Sequence, residues 1–123
     1  MNTFTRQYLI AALWSSNDES TPDGDQPLDD NYSIDDIAPD TIAQAKTDCA
    51  RFQAENTTDL EAAAPLGCDD EQAAHDFWLT RNRHGAGFWD RGYGDIGDRL
   101  TTAAHAFDEL NLYVGDDGMI HGE

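Results

Sequence analysis

Residues 75–99 are the stretch that most constrains how this chain can fold. They read HDFWLTRNRHGAGFWDRGYGDIGDR and hold two of the three tryptophans, two of the four histidines, four of the seven basic residues and five of the ten glycines. Large aromatic side chains dominate cores and interfaces, and glycines mark tight turns or close backbone approaches. We therefore expect this stretch, which we name the aromatic–arginine block, to organise the fold, a binding site or both.

Charge is the second constraint. The chain has 25 acidic and 7 basic residues, a formal net charge of −18 and a pI of about 4.1. Residues 15–70 carry fifteen acids and two bases, whereas residues 71–123 carry ten acids and four bases. Such a surface repels nucleic acid and anionic membranes and attracts basic proteins. We predict a protein partner with a basic surface, no direct nucleic-acid binding and no membrane contact.

Length and cysteine usage set the class of protein. At 123 residues, the chain is expected to form one domain over residues 1–123. The apolar runs are too short to cross a bilayer, and residues 1–14 do not resemble a signal peptide. Cys49 and Cys68 have neither zinc-type nor redox spacing. We expect an intracellular protein with reduced thiols.

Apolar spacing predicts helices over residues 3–14, 40–55, about 69–83 and 95–110. The clearest is the second, in which Ile42, Ala45, Cys49 and Phe52 form one apolar stripe. Residues 110–123 predict a small β-hairpin with a Gly-Asp-Asp-Gly turn. The expected fold is mainly α (α+β): about four helices in one compact domain with a small C-terminal hairpin.

The segments between and before these elements carry weaker signals. Residues 15–31 are acidic and contain two prolines, so we expect an exposed, mobile loop. Ser33 and Asp36 have the spacing of a helix cap, and Pro39 suits the first turn of the next helix. In the first helix Thr3 is the candidate N-cap, and Ile10, Leu13 and Trp14 widen the apolar face, which predicts deep burial.

The aromatic–arginine block is the candidate binding site, because it places cations, amides and aromatic faces around a glycine-rich loop. The predicted binding residues are His75, Arg81, Asn82, His84, Phe88, Trp89, Asp90 and Arg91. Three interpretations are open. The aromatics form core while Arg81 and Arg91 pair with Asp76, Asp90 or Asp95; the block is a partner-binding surface; or His75, Arg81, His84 and Trp89 line a small-molecule or catalytic pocket.

Metal and cofactor patterns are weak throughout the sequence. His75-Asp76 imitates part of a metal-dependent phosphohydrolase site but lacks further ligands with diagnostic spacing. Cys49, Cys68, His75 and His84 match no zinc pattern, and residues 19–30 imitate a calcium loop interrupted by two prolines. We predict no catalytic residue, no metal site and no cofactor, and a protein that is not an enzyme.

The acidity has two interpretations. Carboxylates spread over helices can imitate the phosphates of DNA and occupy the basic groove of a DNA-binding enzyme. The candidate acidic surface comprises Asp29, Asp30, Asp35, Asp36, Asp40, Asp69 and Asp70. The other interpretation is a solubilising surface or adaptation to a salt-rich cytoplasm.

Four segments together resemble one group of proteins. The motifs AALWSS, PLDDNYSIDDIAP, HDFWLTRNRHGAGFWDRG and LYVGDDG resemble small acidic proteins of unassigned function from tailed bacteriophages and prophages. The resemblance spans nearly the whole chain. It implies a phage accessory protein that acts in the host bacterial cytoplasm, and it implies no catalytic residues. Combined with the charge, it predicts a non-enzymatic protein that binds a host or phage protein, as a DNA-mimic-type inhibitor of a nucleic-acid-handling or defence enzyme.

Overall fold

A computed structural model describes residues 1–22, 24–85 and 87–123. Within them the chain forms five α-helices: α1 (Thr3–Ser15), α2 (Pro39–Glu55), α3 (Thr57–Ala63), α4 (Asp70–Arg81) and α5 (Asp95–His105). Short 3₁₀ turns lie at Leu28–Asp30, Ile34–Asp36, Ala64–Leu66 and Phe88–Asp90. Strands β1 (Leu112–Val114) and β2 (Ile120–Gly122) close the chain. The predicted class, mainly helical with a small C-terminal hairpin, is confirmed.

Among the described elements, helices α1 and α4 make the most extensive contact with each other. Ala11 and Ala12 are buried on α1, and Ala73 and Ala74 on α4, so small side chains allow the two backbones to approach closely. The Trp78 indole N–H donates to the Ser15 hydroxyl at 2.7 Å, which fixes the end of α1 against α4. Asp69 caps α4 by accepting from the Gln72 N–H at 2.9 Å.

Aromatic rings from three helices and one loop fill the core. The rings of Phe52 (α2) and Phe77 (α4) stack with centroids 4.1 Å apart. Phe107, which follows α5, meets the Phe77 ring edge-on at 5.0 Å, and Tyr8 of α1 lies against Phe77 at 5.4 Å. Such ring pairs contribute about 0.5–1.5 kcal/mol each beyond the burial of their area.

Helix α2 follows its predicted boundaries closely. It begins at Pro39, in the first-turn position that suits proline, and ends at Glu55. Ala45, Cys49 and Phe52 are buried along the expected stripe. Asp48 is buried on the same side of the helix, although its carboxylate makes that position unexpected for a core face.

Helix α5 is shorter than predicted. The apolar spacing extended it to residue 110, but the helix ends at His105. Ala106 and Phe107 donate backbone N–H bonds to the Ala103 and Ala104 carbonyls, which tightens the last turn. The chain then turns so that Phe107 enters the core. The apolar spacing beyond residue 105 therefore marks a residue that is buried, Phe107, but the helix itself does not continue to it.

The C-terminal hairpin pairs antiparallel in the register Leu112–Gly122, Tyr113–His121 and Val114–Ile120. Its turn is the predicted Gly-Asp-Asp-Gly, with Gly118 at φ 78°, where glycine has no steric penalty. The Ala38 N–H donates to the Ile120 carbonyl at 2.8 Å, and the Gly122 N–H donates to the Thr41 hydroxyl at 3.2 Å. The hairpin is thereby attached to the start of α2.

Helix α1 departs from its predicted environment on one side. Its N-cap is Asn2 instead of Thr3, since the Asn2 side chain accepts from the Thr5 N–H at 2.9 Å. Leu13 is buried as predicted, but Ile10 is 37% and Trp14 55% exposed. The prediction of deep burial is wrong for these two residues because they lie at the margin of the buried face of α1, where the Trp14 ring meets the ring of His75 on α4.

Residues 15–31 contain exposed acids and two buried residues. Asp29 and Asp30 are exposed, whereas Leu28 is fully buried and Asp18 is 3% exposed, so the expected exposed loop is corrected at these two positions. The Asp18 N–H donates to the Gln26 carbonyl, and the Leu28 N–H to the Ser16 carbonyl. These two backbone hydrogen bonds join the two ends of the segment to each other. The mobility of the segment stays a prediction.

Substitutions at Gly85 and Gly87 test how the loop after α4 packs. A Cβ at Gly87 would collide with the Thr80 hydroxyl, which accepts from the Phe88 N–H in the buried interior. We expect Gly87→Ala to lower the free energy of unfolding by about 1–3 kcal/mol through overpacking. At Gly85 a Cβ would meet only the Asp90 carboxylate at 3.8 Å. Urea denaturation should therefore show Gly85→Ala close to the native protein, and equal losses in both variants would contradict this packing.

Candidate functional site

Arg81, the central cation of the predicted site, lies in the core with 5% exposure. Its Nη1 donates to Asp48 Oδ2 at 2.8 Å and to the Tyr8 hydroxyl at 2.9 Å. Its Nε and Nη2 both donate to the Asp108 carbonyl, at 3.0 and 2.6 Å. The guanidinium also faces the Phe107 ring at 5.4 Å. Arg81 thus joins α4 to α1, α2 and the segment after α5, and all three of its nitrogen atoms donate to partners within the fold.

The electrostatics of this cluster keep Arg81 charged and Tyr8 neutral. Burial acts to lower the pKa of Arg81, but the neighbouring Tyr8 and Asp48 outweigh it and the pKa is raised. Burial raises the pKa of Tyr8 well above its ordinary value. At neutral pH the cluster is therefore one arginine–aspartate ion pair with a neutral phenol bonded to it.

Asp76 forms a second ion pair, with the partly exposed Arg91. This fully buried carboxylate accepts from Arg91 Nη2 at 3.0 Å, from Arg91 Nε at 3.3 Å and from Gln72 Nε2 at 2.9 Å. The hydrogen bond to Asp76 raises the pKa of Arg91 despite partial desolvation. The pair attaches the loop after Phe88 to α4, and it engages the Asp76 carboxylate of the His75-Asp76 dipeptide.

His75 lies at the edge of a shallow cleft of about 280 Å³ that Gln7, Asp69, Glu71, Gln72 and Arg91 also line. Its Nδ1 is 3.5 Å from Asp76 Oδ1, and its ring lies 5.6 Å from the ring of Trp14. The cleft is therefore of mixed charge, with one arginine among the carboxylates of the α4 N-terminus.

Asn82 and His84 belong to a different cleft, of about 380 Å³, which also includes Trp78, Glu109 and Glu123. The Asn82 amide is engaged, since Nδ2 donates to the Trp78 carbonyl at 3.0 Å and Oδ1 accepts from the Leu110 N–H at 2.8 Å. It closes the end of α4 and holds the segment before β1. Asn82 is therefore a structural residue at the floor of this cleft.

The eight predicted binding residues thus do not form one site. Arg81 and Phe88 are buried scaffold, while Trp89 is 57% exposed and Asp90 is exposed beside it. His75 and Arg91 line one cleft, and Asn82 and His84 line another. The interpretation as core with ion pairs fits the pairing of Arg91 with Asp76 and the burial of Phe88, but Trp89 is exposed and Arg81 pairs with Asp48, which was not among the predicted partners.

Metal ligands do not converge in the described part of the chain. Among residues 1–22, 24–85 and 87–123, no three histidine, cysteine, aspartate or glutamate side chains lie close enough together to hold an ion. Cys49 and Cys68 are buried free thiols. In the calcium-like segment, the Thr21 hydroxyl accepts from the Gly24 N–H at 3.3 Å, and Asp23 lies outside the described residues.

The candidate acidic surface is exposed at six of its seven positions, namely Asp29, Asp30, Asp35, Asp40, Asp69 and Asp70. Asp36 is half-buried and caps the turn that begins at Ile34, since its carboxylate accepts from the Ser33 N–H at 2.8 Å. Asp69 is likewise engaged as the α4 cap. The other five positions have no comparable structural role among the hydrogen bonds of the described residues.

The few cations are occupied by intramolecular partners. Five of the seven basic residues form ion pairs, namely Arg51–Glu55, Arg81–Asp48, Arg83–Glu109, Arg91–Asp76 and Arg99–Asp59. The Arg99–Asp59 contact is bidentate and joins α5 to α3. Few cations therefore remain to neutralise the exposed carboxylates, and the excess negative charge lies at the surface.

Sequence reasoning missed the partners of Arg81. Asp48 carried a signal, because it lies three residues after Ala45 and four before Phe52, on the apolar side of α2. An acid in that position predicts a buried cationic partner. Tyr8 and the Asp108 carbonyl carried no signal that could be read without the fold.

No protein-family model, curated protein or solved structure matches this chain. In the described segments, no helix combines the length and apolar character needed to traverse a bilayer.

Two arginines near the end of α4 provide a matched test of the buried cluster. Arg81→Met leaves the Asp48 carboxylate buried without its cation, and we expect a loss of about 3–5 kcal/mol in unfolding free energy. Arg83→Met removes a 3.4 Å pair with Glu109 whose side chains are 58% and 65% exposed, and should change stability by at most about 1 kcal/mol. Chemical denaturation measures both. Similar losses in the two variants would show that Arg81 is not the central contact.

The thiols give a pH-linked prediction. Burial raises the pKa of Cys49 to about 12 and of Cys68 to about 11. Because these folded values exceed the unfolded ones, their contribution to stability is complete below the unfolded pKa and is lost as pH rises through the folded values. We expect negligible alkylation by iodoacetamide at pH 8 in the native protein and reaction of two thiols in urea. Rapid native-state alkylation would contradict the described burial.

Proposed function

We propose that this chain is a non-enzymatic accessory protein that binds a basic surface of a partner protein through its exposed carboxylates. The observation that carries the proposal is the occupation of Arg81 and Arg91 by Asp48 and Asp76. These two cations of the predicted binding site instead stabilise the fold, and the exposed aspartates remain for external contacts.

The physical advantage of such a surface lies in steering and in competition. Carboxylates attract a basic groove over about one Debye length, roughly 10 Å at 0.1 M salt, and accelerate its encounter. A groove that evolved for nucleic acid offers cations spaced for phosphates, and a row of carboxylates can occupy them and release their counterions. The class of partner we propose is therefore a nucleic-acid-handling or defence enzyme, inhibited by a DNA-mimic-type competitor.

The resemblance of the four motifs to acidic phage and prophage proteins supports the biological setting. A phage accessory protein acting in the host bacterial cytoplasm meets many nucleic-acid enzymes whose inhibition favours the phage. We propose that setting for this chain, with either a host or a phage protein as the partner.

The pocket alternative has less support. It required Arg81, His75, His84 and Trp89 to converge on one cavity. Arg81 is in the core, and His75 and His84 line separate clefts. Because these four side chains do not converge, they do not supply a base, a nucleophile and anion-binding donors at one place.

Capture from a bacterial lysate tests the proposed function. We expect the protein to retain nucleic-acid enzymes at about 0.1 M salt and to release them near 1 M salt, where the Debye length falls to about 3 Å. Added duplex DNA should compete for the same partners. A variant with Asp29, Asp30, Asp35 and Asp40 changed to asparagine should retain less, and a circular dichroism spectrum should show that its fold is intact. Capture that is unaffected by salt, by DNA and by this variant would contradict the proposal.

A further inference from the structure

The exposed side of α1 carries two large apolar side chains. Ile10 and Trp14 are 37% and 55% exposed, and residues four apart lie next to each other on a helix surface. The Trp14 ring is held near His75, with ring centroids 5.6 Å apart. A positioned tryptophan next to an isoleucine is typical of an interface anchor, because little side-chain freedom is lost on contact.

A groove continues from this stripe to the acidic segment. Ile10 and Leu13 of α1 form one wall, Tyr32 and Ile34 form the other, and the cleft has a volume of about 240 Å³. Tyr32 and Ile34 are half-buried and pack against the core. The groove therefore offers partly exposed apolar walls without requiring any rearrangement of the fold.

The rim of the groove is negatively charged. Asp29 and Asp35 line it together with Arg6, and Asp30 and Asp36 lie in the same two 3₁₀ turns. Four aspartates and one arginine give this region a formal charge of −3. Among the ion pairs of the described residues, none includes Asp29, Asp35 or Arg6, so both carboxylates of the rim are available to an external cation.

We infer that this groove is the docking site for a partner-protein segment in which an apolar side chain stands next to a lysine or arginine. The apolar side chain packs between Ile10 and Ile34, and the cation lies against Asp29 and Asp35. The inference rests on the proposed function and specifies where on the surface the basic partner makes its tightest contact.

The two components of the groove have different consequences. The carboxylates alone would attract any polycation, and salt would screen that attraction. The free energy gained by burying an apolar side chain is proportional to the area removed from water, and salt does not screen it. The groove therefore adds selectivity for amphipathic basic segments to a surface that otherwise selects only for charge.

Two synthetic hexapeptides of equal charge test the inference on the intact chain. One alternates leucine with arginine, and the other alternates serine with arginine. Titrations of the ¹⁵N-labelled protein should show about tenfold tighter binding of the leucine peptide, with the largest amide shifts at residues 10–14 and 32–35. Equal affinities for the two peptides would overturn the groove but leave the proposed charge-driven function intact. No binding of either peptide at low salt would count against both.

Matched variants distinguish the groove from the rest of the surface. Ile10→Ser should abolish the preference for the leucine peptide, whereas Leu66→Ser, at another exposed apolar position (55%), should preserve it. Asp29→Asn with Asp35→Asn should weaken binding of the leucine peptide more than Asp98→Asn with Asp116→Asn, which removes the same charge from exposed sites elsewhere. Equal effects within either matched pair would overturn the inference.

Discussion

The buried contact between Arg81 and Asp48 is the interaction on which the rest of the structure depends. One guanidinium bonds to side chains of α1 and α2 and to the backbone that follows α5. Its neighbours Phe77 and Phe107 belong to the aromatic core. A buried cation without a partner carries a large desolvation cost, so the elements that supply its partners must assemble together. The cluster therefore favours one arrangement of the helices over other compact ones.

This use of arginine has a consequence for the surface. With 25 acidic and 7 basic residues, the pairing of Arg81 with Asp48 and of Arg91 with Asp76 leaves the negative excess on the other carboxylates, most of which are exposed. That excess opposes folding through self-repulsion, whereas the contacts of Arg81 and Arg91 hold the helices and the loop after Phe88 together. A surface with this excess of carboxylates over cations suits the basic partner that we propose.

The sequence predicted the local elements better than their long-range contacts. The apolar stripe on α2, the position of Pro39 and the hairpin turn follow from spacing and backbone preference, which act over a few residues. Arg81 could not be placed, because its side-chain partners Tyr8 and Asp48 are 73 and 33 residues away in sequence. The same limit applies to α1: hydrophobicity predicted burial of Ile10 and Trp14, but which side of α1 is covered depends on how α2, α4 and two 3₁₀ turns pack against it. Site residues were chosen by type, and type did not distinguish a structural arginine from a ligand-binding one.

The most direct test of the central role of Arg81 is guanidinium NMR of the six arginines in the intact protein. We expect slowly exchanging, individually resolved side-chain N–H signals for Arg81 that persist at high salt, because its donors bond to Asp48, Tyr8 and the Asp108 carbonyl. Arg6, which is exposed on α1, should show the rapid averaging of a solvated side chain. Exchange at Arg81 as fast as at Arg6 would contradict the account, since it would mean that the central cation is open to solvent and to ligands.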